Sequence, residues 1–104
     1  MSHTITITMP ATVREDFVET YGWDRLVANM GGERKGMKDA WTAIEFASPK
    51  GTGVHYTVRF HQVLLPILKL MMEVRWADHF SRQGELSAPY DRVLDQIIKL
   101  QRKR

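Results

Sequence analysis

The chain contains no cysteine among its 104 residues. That absence excludes a disulfide framework and any zinc site built from thiolates, and it fits the reducing environment of a cytoplasm. Internal repeats and low-complexity segments are also lacking. With 43% hydrophobic and 26% charged residues, the composition is typical of a folded protein, and the length fits one compact domain over residues 1–104.

An uninterrupted hydrophobic run is likewise missing. The longest apolar stretch, residues 63–80, is broken by one proline and four charged side chains: Pro66, Lys69, Glu73, Arg75 and Asp78. This pattern excludes a membrane span, because charges inside the bilayer are costly. The N-terminal residues also lack the basic and apolar regions of a secretory signal. The sequence therefore predicts a cytoplasmic protein.

Strong charge of either sign is absent too. The formal net charge is +3, which permits contact with nucleic acid but is well short of what a DNA-coating protein carries. The same balance excludes an acidic surface that imitates DNA. Four cations are concentrated at the end of the chain, at Lys99, Arg102, Lys103 and Arg104, where they favour the negative end of a helix dipole.

Alternation of polar and apolar side chains predicts three strands. It is clearest over residues 3–9 and 54–60, and a similar pattern over residues 38–47 would turn Ile44 and Phe46 toward the core. A loop rich in proline and glycine joins the last two segments, so they should pair as an antiparallel hairpin.

Helical spacing occupies the segments between and after these strands. It predicts a helix over residues 12–29 that Gly22 interrupts, a long helix that begins near Leu64 or Leu65, and a last helix that Ser87 opens. The element order is then β-α-β-β-α-α. This order predicts an α+β fold with a small three-stranded, mainly antiparallel sheet and helices on one face.

The other face of this sheet should be open, and alternation places Trp41, His55 and Arg59 on it. A tryptophan beside an arginine and a histidine could stack on a base or anchor a protein interface. A threonine-rich open face is also common as plain solvated surface. Both interpretations stay open at this point.

The long helix is apolar around most of its circumference, so it has more hydrophobic surface than one core face covers. At about 100° per residue, one side is predicted to face the core: Ile67, Leu70, Met71, Val74 and Ala77. A separate column is a candidate partner-binding surface: Leu68, Met72, Trp76 and Phe80. Self-association would bury this column and predicts a homodimer. The alternative is that the C-terminal helix folds back and covers it.

No catalytic or metal-binding constellation is recognisable. His3, His55, His61 and His79 are scattered along the chain, without the paired spacing of a metal site, and no glycine-rich segment matches a phosphate or dinucleotide loop. The sequence therefore predicts no metal, no cofactor and no enzymatic activity. An enzyme would gain support only if His61 lay in a deep pocket beside a carboxylate.

The order strand, helix, two strands, long helix, together with Tyr56-Thr57-Val58-Arg59, Ala77-Asp78 and Ser87-Ala88-Pro89, resembles the small T7-type bacteriophage proteins that antagonise the host nucleoid protein H-NS. The resemblance implies a phage protein that acts inside the infected bacterium. Such a protein would bind a host DNA-associated protein and relieve its effect without catalysis. The resemblance transfers no functional residue, and it leaves open the role of the last helix, which ends in residues 101–104.

The leading hypothesis is thus a small non-enzymatic, phage-type binding protein that inhibits a host factor by occupying a protein surface. An anti-CRISPR or other anti-defence inhibitor is an alternative within that class. The other alternative is a basic nucleic-acid-binding module that uses Trp41, His55, Arg59 and the terminal cations.

Overall fold

The computed structural model describes residues 3–80 and 87–103, without the side chains of residues 79, 80 and 87. The elements in chain order are β1 (Thr4–Pro10), α1 (Ala11–Glu15), a π-helical segment (Asp16–Tyr21), α2 (Trp23–Asn29), α3 (Met37–Glu45), β2 (Ser48–Lys50), β3 (His55–His61), a 3-10 turn (Gln62–Leu64), α4 (Leu65–Phe80) and α5 (Ser87–Arg102). The fold class is α+β, as predicted. None of the described helices is long and apolar enough to cross a membrane.

The sheet has three antiparallel strands in the order β1-β3-β2. β1 and β3 pair along their whole length, with Thr6 opposite Arg59. β2 pairs only with the first half of β3 and begins at Ser48, opposite Thr57. Alternate residues of the two long strands enter the core, as predicted: Ile7, Met9, Val58 and Phe60.

Residues 38–47 are mainly helical, so the strand predicted there is wrong. α3 buries one side at the i, i+3, i+4, i+7 spacing of a helix: Met37, Ala40, Trp41 and Ile44. The prediction followed the alternation around Ile44 and Phe46. In the structure Ile44 is fully buried, whereas Phe46 caps the helix end and is 76% exposed. The second strand is instead the short β2, within the segment predicted to be the hairpin loop.

Contacts at both ends fix the position of α3. Gly36 precedes the helix at φ 87°, a left-handed backbone that favours glycine, and a Cβ atom there would lie 3.1 Å from the Leu64 side chain, which would have to shift slightly. At the other end, the Arg14 guanidinium donates hydrogen bonds to the carbonyl oxygens of Ile44 (3.2 Å) and Glu45 (2.6 Å). These bonds satisfy carbonyls that a helix end leaves without an intrahelical partner.

Trp41 does not lie on the open face of the sheet, contrary to the sequence prediction. Its ring contacts Phe17 and Trp23, with centroid distances of 5.1 and 5.6 Å, and only 8% of the residue is exposed. His55 and Arg59 are exposed on β3, where alternation placed them. The tryptophan was misplaced because its assignment depended on the wrong strand.

The two sides of α4 are nearly reversed relative to the prediction. Leu68 and Met72, assigned to a partner, are 1% and 0% exposed, and Trp76 packs half-buried against the same core. On the side assigned to the core, Met71 is buried but Ala77 is exposed. The remaining residues of that side are half-buried: Ile67, Leu70 and Val74.

The column that the sequence left contested is buried within the fold. α5 packs along α4 and buries Tyr90, Val93 and Ile97 in the same core as Leu68 and Met72. Leu68 and Met72 are therefore core residues and offer no surface to a partner. The fourth residue of the predicted column, Phe80, has a side chain outside the described residues.

The placement of Trp41 predicts a large effect of its removal on stability. Trp41→Ala should lower the free energy of unfolding by about 3–5 kcal/mol, because it empties a packed aromatic site. Thr42→Ala, at the exposed neighbouring position, should change it by less than about 0.5 kcal/mol. Urea denaturation followed by circular dichroism measures both values. Equal, small losses of stability for Trp41→Ala and Thr42→Ala would contradict the burial of Trp41.

Candidate functional site

An open groove runs beside the sheet, between the C-terminal half of α3 and β3. Its volume is about 550 Å³. One wall comes from α3 and the residues after it, and the other from the strands: Thr42, Ala43, Phe46, Ala47, Ser48, Thr57 and Arg59. We call this site the Phe46 groove. β2 begins at Ser48, so no described strand pairs with this side of β3 beyond Thr57, and the groove lies there.

A second hollow lies at the N-terminal end of α3, with a volume of about 420 Å³. Its wall is mostly apolar and comes from the start of α3 and the start of α4: Lys35, Gly36, Asp39, Val63, Leu64, Pro66 and Ile67. We call it the Val63 hollow. Asp39, Ala43 and Phe46 are spaced at i, i+4 and i+7, so they share one side of α3. The groove and the hollow therefore lie along the same side of this helix.

These two sites contain most of the exposed large hydrophobic surface. Among the described residues, three large hydrophobic side chains are exposed: Phe46 at 76%, Val63 at 66% and Val54 at 61%. Phe46 lines the groove and Val63 lines the hollow. Exposed apolar side chains grouped beside a concave surface are typical of interaction sites, whereas scattered ones are ordinary.

The charge next to the groove is positive. The three strands contain no aspartate or glutamate. Their exposed charged or imidazole side chains are Lys50, His55, Arg59 and His61. Arg59 is the charged residue among those that line the groove. A ligand of this surface should therefore present negative charge to the sheet side and apolar groups to Phe46.

A separate polar cluster lies inside the helical layer, and sequence reasoning missed it. The Asp16 carboxylate accepts two hydrogen bonds from the Arg75 guanidinium, at 2.8 Å from Nε and 2.6 Å from Nη2. It also accepts a 2.6 Å bond from the Tyr90 hydroxyl. Asp16 is 7% exposed, Arg75 2% and Tyr90 0%. This cluster joins the π-helical segment to α4 and α5.

The cluster extends outward through the same arginine. Arg75 also donates to Asp78 at 3.1 Å, and Arg25 of α2 forms an ion pair with Asp78 at 2.7 Å. The Arg75 guanidinium lies 4.7 Å from the centroid of the Tyr21 ring, a cation–π distance. The Tyr21 hydroxyl accepts a 2.7 Å bond from Asn29. Four helical elements thus meet around one buried guanidinium.

The pKa values of this cluster follow from its burial and charge. Burial raises the pKa of the Tyr90 hydroxyl, and the hydrogen bond to the Asp16 carboxylate raises it further. Burial by itself would lower the pKa of Arg75, but the hydrogen bonds and charge of Asp16 outweigh it, so the net shift is upward. Tyr90 is therefore neutral and Arg75 charged at every physiological pH.

We interpret the buried cluster as structural, because its central groups are nearly inaccessible to solvent and hold three helical elements together. A shallow hollow lined by Asn29, Val74, Ala77 and Asp78 touches only its outer end. His61, the residue on which an enzyme interpretation depended, is exposed, and its Nδ1 atom accepts the N–H of Val63 at 3.1 Å. Over residues 3–80 and 87–103, no group of three or more metal-ligating side chains converges.

The sequence identified only part of this arrangement. Arg59 and His55 were correctly placed on the surface, but Phe46 was assigned to the core and Val63 to no site. Arg75 was considered only as a charge that argues against a membrane span, and Asp16 was assigned to no site. One signal was available for the groove: Met37, Ala40, Trp41 and Ile44 fit a helical period better than alternation. A helix there leaves Phe46 outside.

Comparison with known proteins returned no match. No protein-family model, curated protein or solved structure is detectably similar to this chain. The resemblance to the phage antagonists of H-NS therefore stays a prediction, and the functional argument depends on the described surfaces.

The Tyr90 hydroxyl predicts a specific dependence of stability on pH. Near neutral pH, Tyr90→Phe should lower the free energy of unfolding by about 1.5–3 kcal/mol, because it removes a hydrogen bond to a buried charge. The folded protein retains a proton that the unfolded chain releases above about pH 10, so wild-type stability falls as pH rises further. The difference in the free energy of unfolding between wild type and Tyr90→Phe should then shrink by about 1.4 kcal/mol per pH unit.

Urea denaturation of wild type and Tyr90→Phe at pH 7, 10 and 11 measures this difference. Tyr21 is present in both proteins, so its own raised pKa cancels in the difference. A difference that stays constant up to pH 11 would show that Tyr90 is not the buried donor to Asp16.

Proposed function

We propose that this chain is a small non-enzymatic binding protein that inhibits a host bacterial factor by occupying a protein surface. The observation that supports it most is Phe46, an aromatic side chain 76% exposed beside an open groove and close to Arg59. Aromatic and arginine side chains dominate the energetics of protein interfaces. The proposed mechanism is steric: the partner surface that binds the groove is no longer available to its normal ligand.

The sequence resemblance suggests a class of partner. A protein similar to the T7-type antagonists of H-NS would act in the cytoplasm of an infected bacterium, on a DNA-associated host protein. An anti-CRISPR or other anti-defence target remains the alternative within the same class, since the groove places no restriction on which host system is inhibited. The positive strands favour a partner with acidic side chains at the contact.

A nucleic-acid-binding module is the second candidate. The absence of carboxylates on the strands and the exposed Lys50, His55 and Arg59 favour it. Against it, Trp41 is buried, so the aromatic side chain on which that prediction depended for base stacking is not on the open face. Binding to nucleic acid should weaken steeply with rising salt, whereas contacts made by Phe46 and Val63 should respond little.

A homodimer is also proposed, but its interface cannot be the α4 column predicted from the sequence. Leu68 and Met72 are buried in the fold itself, so self-association would have to use the Phe46 groove or the Val63 hollow. Two copies meeting there would bring like charges of Arg59 together, which is unfavourable. We therefore rank a different, acidic partner above a second copy.

The proposal is tested by affinity capture from a bacterial lysate, followed by binding measurements with the purified partner. Phe46→Asp should weaken that binding at least about tenfold, because it places a charge at an apolar contact. Val54→Asp is the matched control: Val54 is also exposed, at 61%, but it lines neither concave site. Its affinity should stay within about twofold of wild type.

Nuclease treatment of the lysate and a salt titration complete the experiment. A partner that is lost after nuclease treatment, or lost steeply between low and high salt, would favour the nucleic-acid module instead. Equal effects of Phe46→Asp and Val54→Asp on the affinity would contradict a binding site at the groove.

A further inference from the structure

The backbone of β3 presents unused hydrogen-bonding groups to the Phe46 groove. The Gln62 amide donates to the His3 carbonyl (2.8 Å) and the Ala11 amide donates to the Val54 carbonyl (2.8 Å). Even-numbered residues of β3 therefore point their N–H and C=O groups at β1, because these directions alternate along a strand. The N–H and C=O of Arg59 and the N–H of His61 therefore point the other way, past the start of β2.

No described strand pairs with that side of β3 beyond Thr57. The ladder with β2 ends at the pair Ser48 and Thr57. Phe46, the residue that would continue it opposite Arg59, donates its own amide to Thr42 at the end of α3. Within residues 3–80 and 87–103, no strand, turn or cap bond engages the N–H and C=O of Arg59 or the N–H of His61, whereas the His61 C=O caps the 3-10 turn. Both residues are exposed.

The opposite edge of the sheet is blocked in its second half, at Thr8 and Pro10. On β1, the Gln96 side-chain amide of α5 forms two bonds with the Thr8 backbone: it accepts from the N–H (2.9 Å) and donates to the C=O (2.6 Å). Pro10 ends that strand and has no N–H to offer. Blocking of this kind is how proteins prevent unwanted strand pairing. β3 beyond Thr57 has no such block.

We propose that the inhibited partner binds by adding an extended, acidic segment as a fourth strand on β3, at Arg59 and His61. This inference rests on the proposed function and specifies its binding mode. Strand addition draws affinity from backbone hydrogen bonds and specificity from alternate side chains. The residue paired with Arg59 shares its face and should be acidic. The next residue points to the other face, toward α3 and Phe46, and should be apolar.

The charges on β3 decide between an acidic partner and a second copy. Antiparallel pairing of two β3 edges would bring Arg59 of one copy close to Arg59 of the other. Like charges across neighbouring strands are destabilising. An acidic strand instead gains an opposite-charge pair at Arg59.

The probe is a blocked eight-residue peptide that alternates glutamate and valine, at pH 7. In the proposed register the glutamate N–H groups bond to β3 and the valine N–H groups face solvent. N-methylation of the valines should therefore preserve binding, whereas N-methylation of the glutamates should abolish it. Amide hydrogen exchange of Arg59 and His61 in the wild-type protein should slow roughly tenfold or more at saturation with the valine-methylated peptide.

Two variants at His61 separate its backbone from its side chain. His61 has φ −73°, which proline adopts without strain, so His61→Pro removes the outward N–H from an otherwise compatible backbone. His61→Ala removes the imidazole and keeps the N–H. The proline variant should bind the peptide at least roughly fivefold more weakly than the alanine variant, the equivalent of one lost hydrogen bond.

Several results would overturn the inference. These are equal binding of the two methylated peptides, protection of amides on β1 instead of β3, equal affinities of His61→Pro and His61→Ala, or no binding at millimolar peptide. If the Arg59 amide becomes more protected from hydrogen exchange as the protein concentration rises without peptide, this edge binds a second copy of the chain. Displacement of the peptide by a single-stranded oligonucleotide at lower concentration would assign it to nucleic acid.

The outcomes also separate this inference from the proposed function. If a captured host protein depends on Phe46 but the peptide protects nothing, strand addition is wrong and the inhibitor proposal stands. The peptide could instead bind as described while Phe46→Asp and Val54→Asp weaken binding of the captured partner equally. In that case β3 does accept an added strand, but the proposed function is wrong.

Discussion

The buried ion pair between Asp16 and Arg75 is the constraint on which the rest of the fold depends. A buried guanidinium is costly unless its hydrogen bonds and charge are satisfied, and here they fix the relative positions of several helices. The π-helical segment supplies Asp16, α4 supplies Arg75, and α5 supplies Tyr90 to the same carboxylate. One wider helical turn brings Asp16 inward together with its neighbour Phe17, and such segments frequently lie where a helix meets an unusual packing demand.

The position of α5 determines which surfaces remain open. Held at Tyr90, this helix packs along α4 and directs Gln96 to the outer edge of β1. The α4 column of Leu68 and Met72 is buried inside the fold, and Thr8 on the β1 edge is bonded to α5. What remains is the other edge of the sheet, where α3 replaces a long second strand. The groove is thus a consequence of the helical packing: the chain forms a helix at the place where a hairpin strand would have closed β3.

The sequence predictions were correct where the deciding interactions are local in sequence, and wrong where contacts between distant residues decide the structure. β1 and β3 were predicted correctly because alternation is local and each strand buries one face. The helical segment around residues 38–47 was missed because Trp41 and Ile44 suit a strand as well as a helix, and the contacts that select the helix come from Arg14 and Gly36. The reversal on α4 has a similar origin: a helix that is apolar all round does not indicate which side meets α5. Burial of Asp16 depended on partners 59 and 74 positions away.

The account is tested most directly by a double-mutant cycle on Asp16 and Arg75. Asp16→Asn and Arg75→Met keep the side chains near their native size, and each alone leaves the partner's charge buried, so each should lower the free energy of unfolding by about 3–5 kcal/mol. If the pair organises the helical layer, the double variant should lose less than the sum of the single losses, with a coupling of at least about 2 kcal/mol in urea denaturation. Losses that add to within about 0.5 kcal/mol would contradict it.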